Sequence, residues 1–229
     1  MSHNTWIHRL VRVGVRPLAR TRVTPNQVTV VRLVTGIAAA GLLASGAWSW
    51  SAAGAGLFAI SMLLDRADGE LARMTGKHSP GGHRFDLFSD GFCNALAFLG
   101  IGIGLRDGTI LGYWAIPMGA VAAAAIMVNL WFVMAMEEVK GARSAELKSF
   151  MGFDADDATL LLPVFVLMGW EVPITIMAFV AAPLFTAMAA RHFTKLHRLE
   201  RSVFAELIQP RVDPAPTAAL QPADQRPPQ

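Results

Sequence analysis

Apolar residues along the chain come in six long runs, parted by short turns that hold the polar residues, glycines and prolines. Most of these runs reach or approach the roughly 20 residues that a helix needs to cross a bilayer. The pattern predicts spanning helices over 25–48, 51–73, 84–105, 110–136, 157–170 and 172–191, the fifth short for a full crossing. Before the first run, Trp6, Ile7, Leu10, Val11, Val13 and Leu18 alternate with Arg9, Arg12, Arg16 and Arg20. That mixture predicts a basic amphipathic helix in the headgroup region, limited or bent by Pro17. In the segment VTPNQVT, Thr24 is placed to cap the first spanning helix, with Pro25 at its first position. Pro117, Pro163, Pro173 and Pro183 fall in or near spans, where neighbouring helices can satisfy the freed backbone groups. From Gln209 onward the chain is rich in Pro, Ala and Gln and is expected to be disordered. The expected architecture is an all-α integral membrane protein with six transmembrane helices and an N-terminal amphipathic interfacial helix. Residues 1–24 form the juxtamembrane segment, 25–208 the six-helix domain and 209–229 the tail.

Composition agrees, since only 16% of the 229 residues are charged, where a soluble domain carries about a quarter. Orientation follows from Lys and Arg. The turns after the first, third and fifth helices hold Arg106 as their single basic residue. The N-terminal segment, the turn with Lys77 and Arg84, the loop with Lys140, Arg143 and Lys148, and the stretch 191–201 hold nearly all the rest. Positive charge stays inside, so both termini and the turn after the second helix are expected in the cytoplasm, at a bacterial-type inner membrane. Topology thus accounts for the net charge of +3, and no nucleic-acid partner is needed. The lone Cys93 lies in an apolar run and has no intrachain disulfide partner. The Arg-rich N-terminus does not read as a cleavable signal. Trp48, Trp50, Trp114 and Trp170 fall near predicted interfaces, as an aromatic belt. Gly100, Gly102 and Gly104 offer close packing, with a dimer contact as one use.

The cytoplasmic end of the second and third helices carries the chemistry. Asp65 and Asp68 lie three residues apart, and Asp86 and Asp90 four apart, so each pair shares a helix face. Gly76, Pro80, Gly81 and Gly82 let the chain reverse between them. If the two helices pack antiparallel, the pairs face each other and repel unless protonated or neutralised by cations. Oxygen-only ligands favour Mg²⁺, Mn²⁺ or Ca²⁺ over zinc. Gly69 and Ala72 leave small side chains beside the carboxylates, and Arg73 adds a cation. Metal and guanidinium beside a cleared backbone suit a pyrophosphate.

These residues resemble a known family. Asp65-x2-Asp68-Gly69-x2-Ala72-Arg73-x8-Gly82-x3-Asp86-x3-Asp90 matches the CDP-alcohol phosphotransferase (CDP-alcohol phosphatidyltransferase) signature at all eight fixed positions. The resemblance implies six transmembrane helices, a surface N-terminal helix and usually a homodimer. It implies cleavage of a CDP-linked alcohol, with CMP released and the phosphoryl group passed to an acceptor hydroxyl. Asp65, Asp68 and Asp86, helped by Asp90, would hold a pair of Mg²⁺ or Mn²⁺ ions, with Asp90 also the catalytic base. Gly69, Ala72, Arg73 and Gly82 would line the cytidine-diphosphate pocket. Arg143, Lys148 and Arg191 are candidates for an acceptor phosphate, although positive-inside topology explains each as well.

Leu87 and Gly91 stand where phosphatidylglycerophosphate synthases often have Pro and Lys, which counts against glycerol phosphate as acceptor. The preferred reading is CDP-diacylglycerol as donor and a polar alcohol as acceptor, in phospholipid synthesis. Its alternatives are a CDP-choline or CDP-ethanolamine phosphotransferase acting on diacylglycerol and, from another class, a cation transporter. Arg66 and Glu70 are expected at the headgroup rim, His78 and His83 in a solvated loop, and Asp154, Asp156 and Asp157 as helix caps.

Overall fold

The computed structural model describes residues 6–77, 80–140 and 161–208, and these form helices joined by short turns, with no strand among them. In chain order they are α1 (Trp6–Ala19), α2 (Pro25–Leu43), α3 (Trp48–Thr75), α4 (Pro80–Gly104), α5 (Ala115–Lys140), α6 (Leu161–Leu167) and α7 (Glu171–Ile208). A single 3-10 turn, Gly112–Trp114, leads into α5. The chain divides after Phe193. The first unit carries everything discussed below, and the described part of the second is the helical stretch 194–208. The expected disordered tail and the segment 141–160 lie outside the described residues.

Local chemistry sets the ends of these helices. Thr24 accepts from Gln27 N through its side chain and donates its own backbone N–H to Gln27 Oε1 at 3.0 Å, a reciprocal cap with Pro25 at the first helical position. α2 stops at Leu43 rather than at 48, because Gly46 turns the chain at φ 75° and Trp48 already opens α3. α3 runs two residues past the expected 73 and ends at Gly76, whose φ of 67° suits a left-handed cap. α4 starts earlier than expected, at Pro80, since a first-turn proline gives up no intrahelical bond. α5 starts later than expected, with Pro117 in its first turn. α1 ends two residues after Pro17.

Among the described residues, four segments are long and apolar enough to cross a membrane: Pro25–Leu43, Gly81–Gly104, Gly112–Glu137 and Glu171–Arg191. They correspond to the first, third, fourth and sixth expected spans. α3 has 28 residues, about 42 Å of helix, but its Trp/Ser opening and charged end dilute the apolar middle. The described part of the expected fifth span is the seven-residue α6.

Burial on α2 departs from that of a soluble amphipathic helix. On α2 the inward face carries Thr29, Arg32, Gly36, Ala39 and Ala40, while Val30, Val31, Val34 and Ile37 are exposed. Exposed apolar side chains of this extent mark a surface that meets something other than water. The core is built from small and medium residues around Phe58, Ile101, Leu162 and Val166. Trp48, Trp50, Trp114 and Trp170 are all exposed and all stand at or just before a helix start.

The second and third expected helices meet differently from the sequence reading. α2 packs extensively on both α3 and α4, while α3 and α4 touch each other at few residues. The glycines of α4 explain how closely. A Cβ on Gly100 would lie 2.5 Å from the Ala40 carbonyl of α2, and one on Gly102 the same distance from the Ala115 carbonyl. These glycines serve close packing within the chain. Gly100→Ala is therefore expected to lower stability by about 1–3 kcal/mol, because backbone rather than a flexible side chain must give way. Thermal unfolding in detergent measures it, and an unchanged midpoint would contradict the packing described.

Candidate active site

Three helices supply the site. α3 brings Asp65 and Asp68, α4 brings Asp86 and Asp90, and α2 brings Thr29 and Arg32. One carboxylate oxygen from each of Asp65, Asp68 and Asp86 lies within 4.8 Å of the others. Hard oxygen donors at this spacing fit around a divalent cation such as Mg²⁺, Mn²⁺ or Ca²⁺ with small adjustments. Asp90 stands outside that trio.

Arg32 joins the two groups. Its guanidinium is buried, with Nη1 2.8 Å from Asp65 and 3.3 Å from Asp86, and Nη2 paired with Asp90. Asn94 Nδ2 also donates to Asp90 Oδ1, at 3.2 Å. The fourth carboxylate, Asp68, is buried and accepts from Thr29 Oγ1 at 2.7 Å. Ser61 donates to the Arg32 carbonyl at 2.9 Å and ties this stretch of α2 to α3. Each carboxylate of the motif thus has a partner from α2, and Arg32 offsets part of the repulsion among the four aspartates.

A cavity of about 330 Å³ opens beside the cluster, lined by Pro25, Asn26, Thr29, Asp68, Gly69, Ala72, Arg73, Lys77, Gly82, His83 and Asp86. All four residues expected to line a nucleotide pocket, Gly69, Ala72, Arg73 and Gly82, are in this wall. Two of the aspartates join them, while Asp65 and Asp90 belong to the cluster and not to the wall. Of the acceptor candidates, Arg191 is exposed and absent from the wall, and Arg143 and Lys148 lie outside the described residues.

Two sequence readings change. Glu70 is not a rim residue: it is 3% exposed and paired with Arg12 and Arg73. His83 belongs to α4, lines the cavity and lies 3.1 Å from Glu137 Oε2 of α5. His78 and Asp154, Asp156 and Asp157 lie outside the described residues. Sequence reasoning missed Arg32, Thr29 and Asn26. A signal for the first existed, because Arg32 is the one charged residue in the run 25–48, and an ionisable group inside a span is functional by default.

Helices throughout the described residues, four of them apolar enough to cross a bilayer, and a carboxylate cluster beside a pocket define a membrane protein with a candidate metal site. A family model for CDP-alcohol phosphatidyltransferase matches residues 22–177, which takes in α2 to α6 and the whole site. The chain belongs to that family, whose members transfer a phosphoalcohol group from a CDP-alcohol and use divalent metal. No match is found among curated proteins.

The geometry makes Arg32 the counter-charge of the site. Arg32→Met would leave Asp65, Asp86 and Asp90 without it, at an expected cost of about 3 kcal/mol when metal is chelated. Mg²⁺ should then raise the unfolding temperature of the variant more than that of the wild type. Equal stability of the two proteins in EDTA would contradict this role.

Proposed function

We propose that this protein is a phosphatidyltransferase of phospholipid synthesis, moving the phosphatidyl group of CDP-diacylglycerol to a polar alcohol with release of CMP. The observation that carries the reading is the cavity in which Gly69, Ala72, Arg73 and Gly82 meet Asp68 and Asp86, directly beside the acidic trio. A pyrophosphate in that cavity lies between Arg73 and the carboxylates. Asp65, Asp68 and Asp86, with Asp90, hold a pair of Mg²⁺ or Mn²⁺ ions. When bound, these ions offset charge on the pyrophosphate and on the departing CMP.

Asp90 is the general base. Arg32 and Asn94 both engage its Oδ1, which fixes the carboxylate and leaves Oδ2 to take the proton of the acceptor hydroxyl. The acceptor oxygen then bonds to the phosphorus that carries diacylglycerol, and the bond from that phosphorus to the bridging oxygen breaks. The bridging oxygen leaves with CMP. Gly69 and Ala72 leave room for the diphosphate against the α3 backbone. Arg143, Lys148 and Arg191 supply cations for an acceptor that carries phosphate.

In this reading the chain crosses the membrane six times, α3 and the segment containing α6 adding to the four apolar spans. Both termini and the site face the cytoplasm, α1 lies along the surface, and the protein works as a homodimer in the inner membrane. The apolar side chains exposed on α2, α5 and α7 meet lipid, and the acyl tails of the donor enter between helices from the bilayer. The carboxylates gather at one end of α3 and α4 beside the cavity and are not spread along several helices, which weighs against a cation pathway.

The test is CMP release by purified protein with CDP-diacylglycerol and Mg²⁺, with serine, glycerol 3-phosphate, inositol and inositol 1-phosphate in parallel. Release should depend on one acceptor and fall about 10²–10⁴-fold in Asp90→Asn, with the unfolding temperature kept. Folded wild-type protein that is inert with every acceptor, but active with CDP-choline or CDP-ethanolamine and diacylglycerol, would move the donor assignment to that branch.

A further inference from the structure

Glu70 stands two residues past Asp68 and is no part of the eight-residue motif, yet its side chain is 5% exposed. A charge is buried to that extent at high cost unless it is paired and hydrogen-bonded. Both of its oxygens are used. Oε1 accepts from Arg12 Nε of α1 at 2.5 Å, and Oε2 accepts from Arg73 Nε and Nη2 at 3.0 and 2.8 Å. The second contact joins residues three apart on one face of α3.

The consequence lies in what remains of Arg73. With Nε and Nη2 held by Glu70, the guanidinium is pinned along one edge and keeps Nη1 for another partner. That atom lies over Gly69, where an added Cβ would come within 4.0 Å of it. Gly69 and Arg73 both line the cavity. An arginine held along one edge loses less freedom on binding an anion than one waving in solvent. Arg12 completes the arrangement from the other side. Val15, one turn further along α1, is buried with Val28 of α2 and Leu71 of α3, so α1 docks directly beside the pair. Two guanidiniums around one carboxylate leave a surplus positive charge next to the cavity.

We propose that Glu70, itself held by Arg12, is a positioning residue for the nucleoside-diphosphate donor. It aims Nη1 of Arg73 at the pyrophosphate and makes the N-terminal helix α1 part of the donor site. The inference rests on the donor reading given above. Substitutions here change how well donor binds and leave the acceptor side and the chemical step alone.

Steady-state CMP release by the full chain in mixed micelles with Mg²⁺ tests it, with donor and acceptor varied separately. Glu70→Gln should raise the donor KM roughly tenfold, as expected for losing charge-assisted hydrogen bonds, with kcat and the acceptor KM within about twofold. Glu70→Asp, which keeps a carboxylate three residues from Arg73, should recover part of the loss. Arg12→Gln should raise the donor KM about threefold, since its side chain is half exposed. Arg16→Gln removes the same charge from an exposed position of α1 and should leave the donor KM unchanged. A folded Glu70→Gln protein with the wild-type donor KM overturns the proposal. So does an Arg16→Gln effect equal to that of Arg12→Gln, which would trace both to attraction between α1 and lipid. If Glu70→Gln does not fold, the Arg12→Gln and Arg16→Gln pair decides alone. Wild-type protein that releases no CMP from any CDP-alcohol refutes the donor reading itself, a result distinct from an active wild type with unaltered variants.

Discussion

A guanidinium buried inside an apolar helix cannot stand alone, and much of this structure follows from how Arg32 is compensated. It is 2% exposed and reaches three of the four aspartates of the motif. Desolvating one cation and several carboxylates is costly, and the cost is offset only when the groups are held in mutual contact. That condition requires α2 to pack on α3 and α4 at once, which is the arrangement observed. The acidic site and the helix packing are therefore one feature seen from two sides. The carboxylates of Asp65, Asp68 and Asp86 are thereby gathered at a spacing that fits a divalent cation.

Packing around this centre is dominated by small residues because the driving force is not the one found in water. Lipid is as apolar as the side chains that face it, so helices gain from close backbone approach and from satisfied polar groups. Gly100 and Gly102 set α4 against the backbones of α2 and α5. Thr29, Ser61 and Asn94 spend their hydrogen bonds on the acidic cluster or on the backbone next to it. Further along, Asn129 Nδ2 of α5 donates to Thr186 Oγ1 of α7 at 2.8 Å, a polar contact between two of the most apolar helices. Small residues at the contacts and satisfied polar groups among them hold the helices in this packing.

The site is organised in two electrostatic layers. The inner one is Arg32 with Asp65, Asp86 and Asp90, and the outer one is Glu70 with Arg12 and Arg73. In the first a cation gathers acids, and in the second an acid gathers cations. The first leaves a negative surplus and the second a positive one, and Asp68, Asp86 and Arg73 bring both signs into the cavity wall. The wall thus offers carboxylates and a guanidinium together, a pairing that suits an anionic ligand bound with a divalent cation.

The sequence by itself determined the helical class, the cap at Thr24 and Pro25, the four strongest apolar spans and the eight-residue motif, six of whose residues line the cavity. Those features are local: they depend on apolar run length, on turn chemistry and on spacing along one helix, and each can be read a few residues at a time. Helix ends shifted by several residues where Gly46 or the Gly112–Trp114 turn intervened, because those turns depend on backbone conformation rather than on hydropathy. Only the tertiary structure decided that α2 joins α3 and α4, that Arg32 and Thr29 serve the aspartates, and that Glu70 is buried between two arginines. The contacts that join different helices here link residues 33 to 58 positions apart in sequence, and nothing in a helical period specifies which helix a side chain will meet. A lone arginine in an apolar run signals that a partner must exist, since its burial is otherwise prohibitive, and only the packing of three helices says which carboxylates it finds.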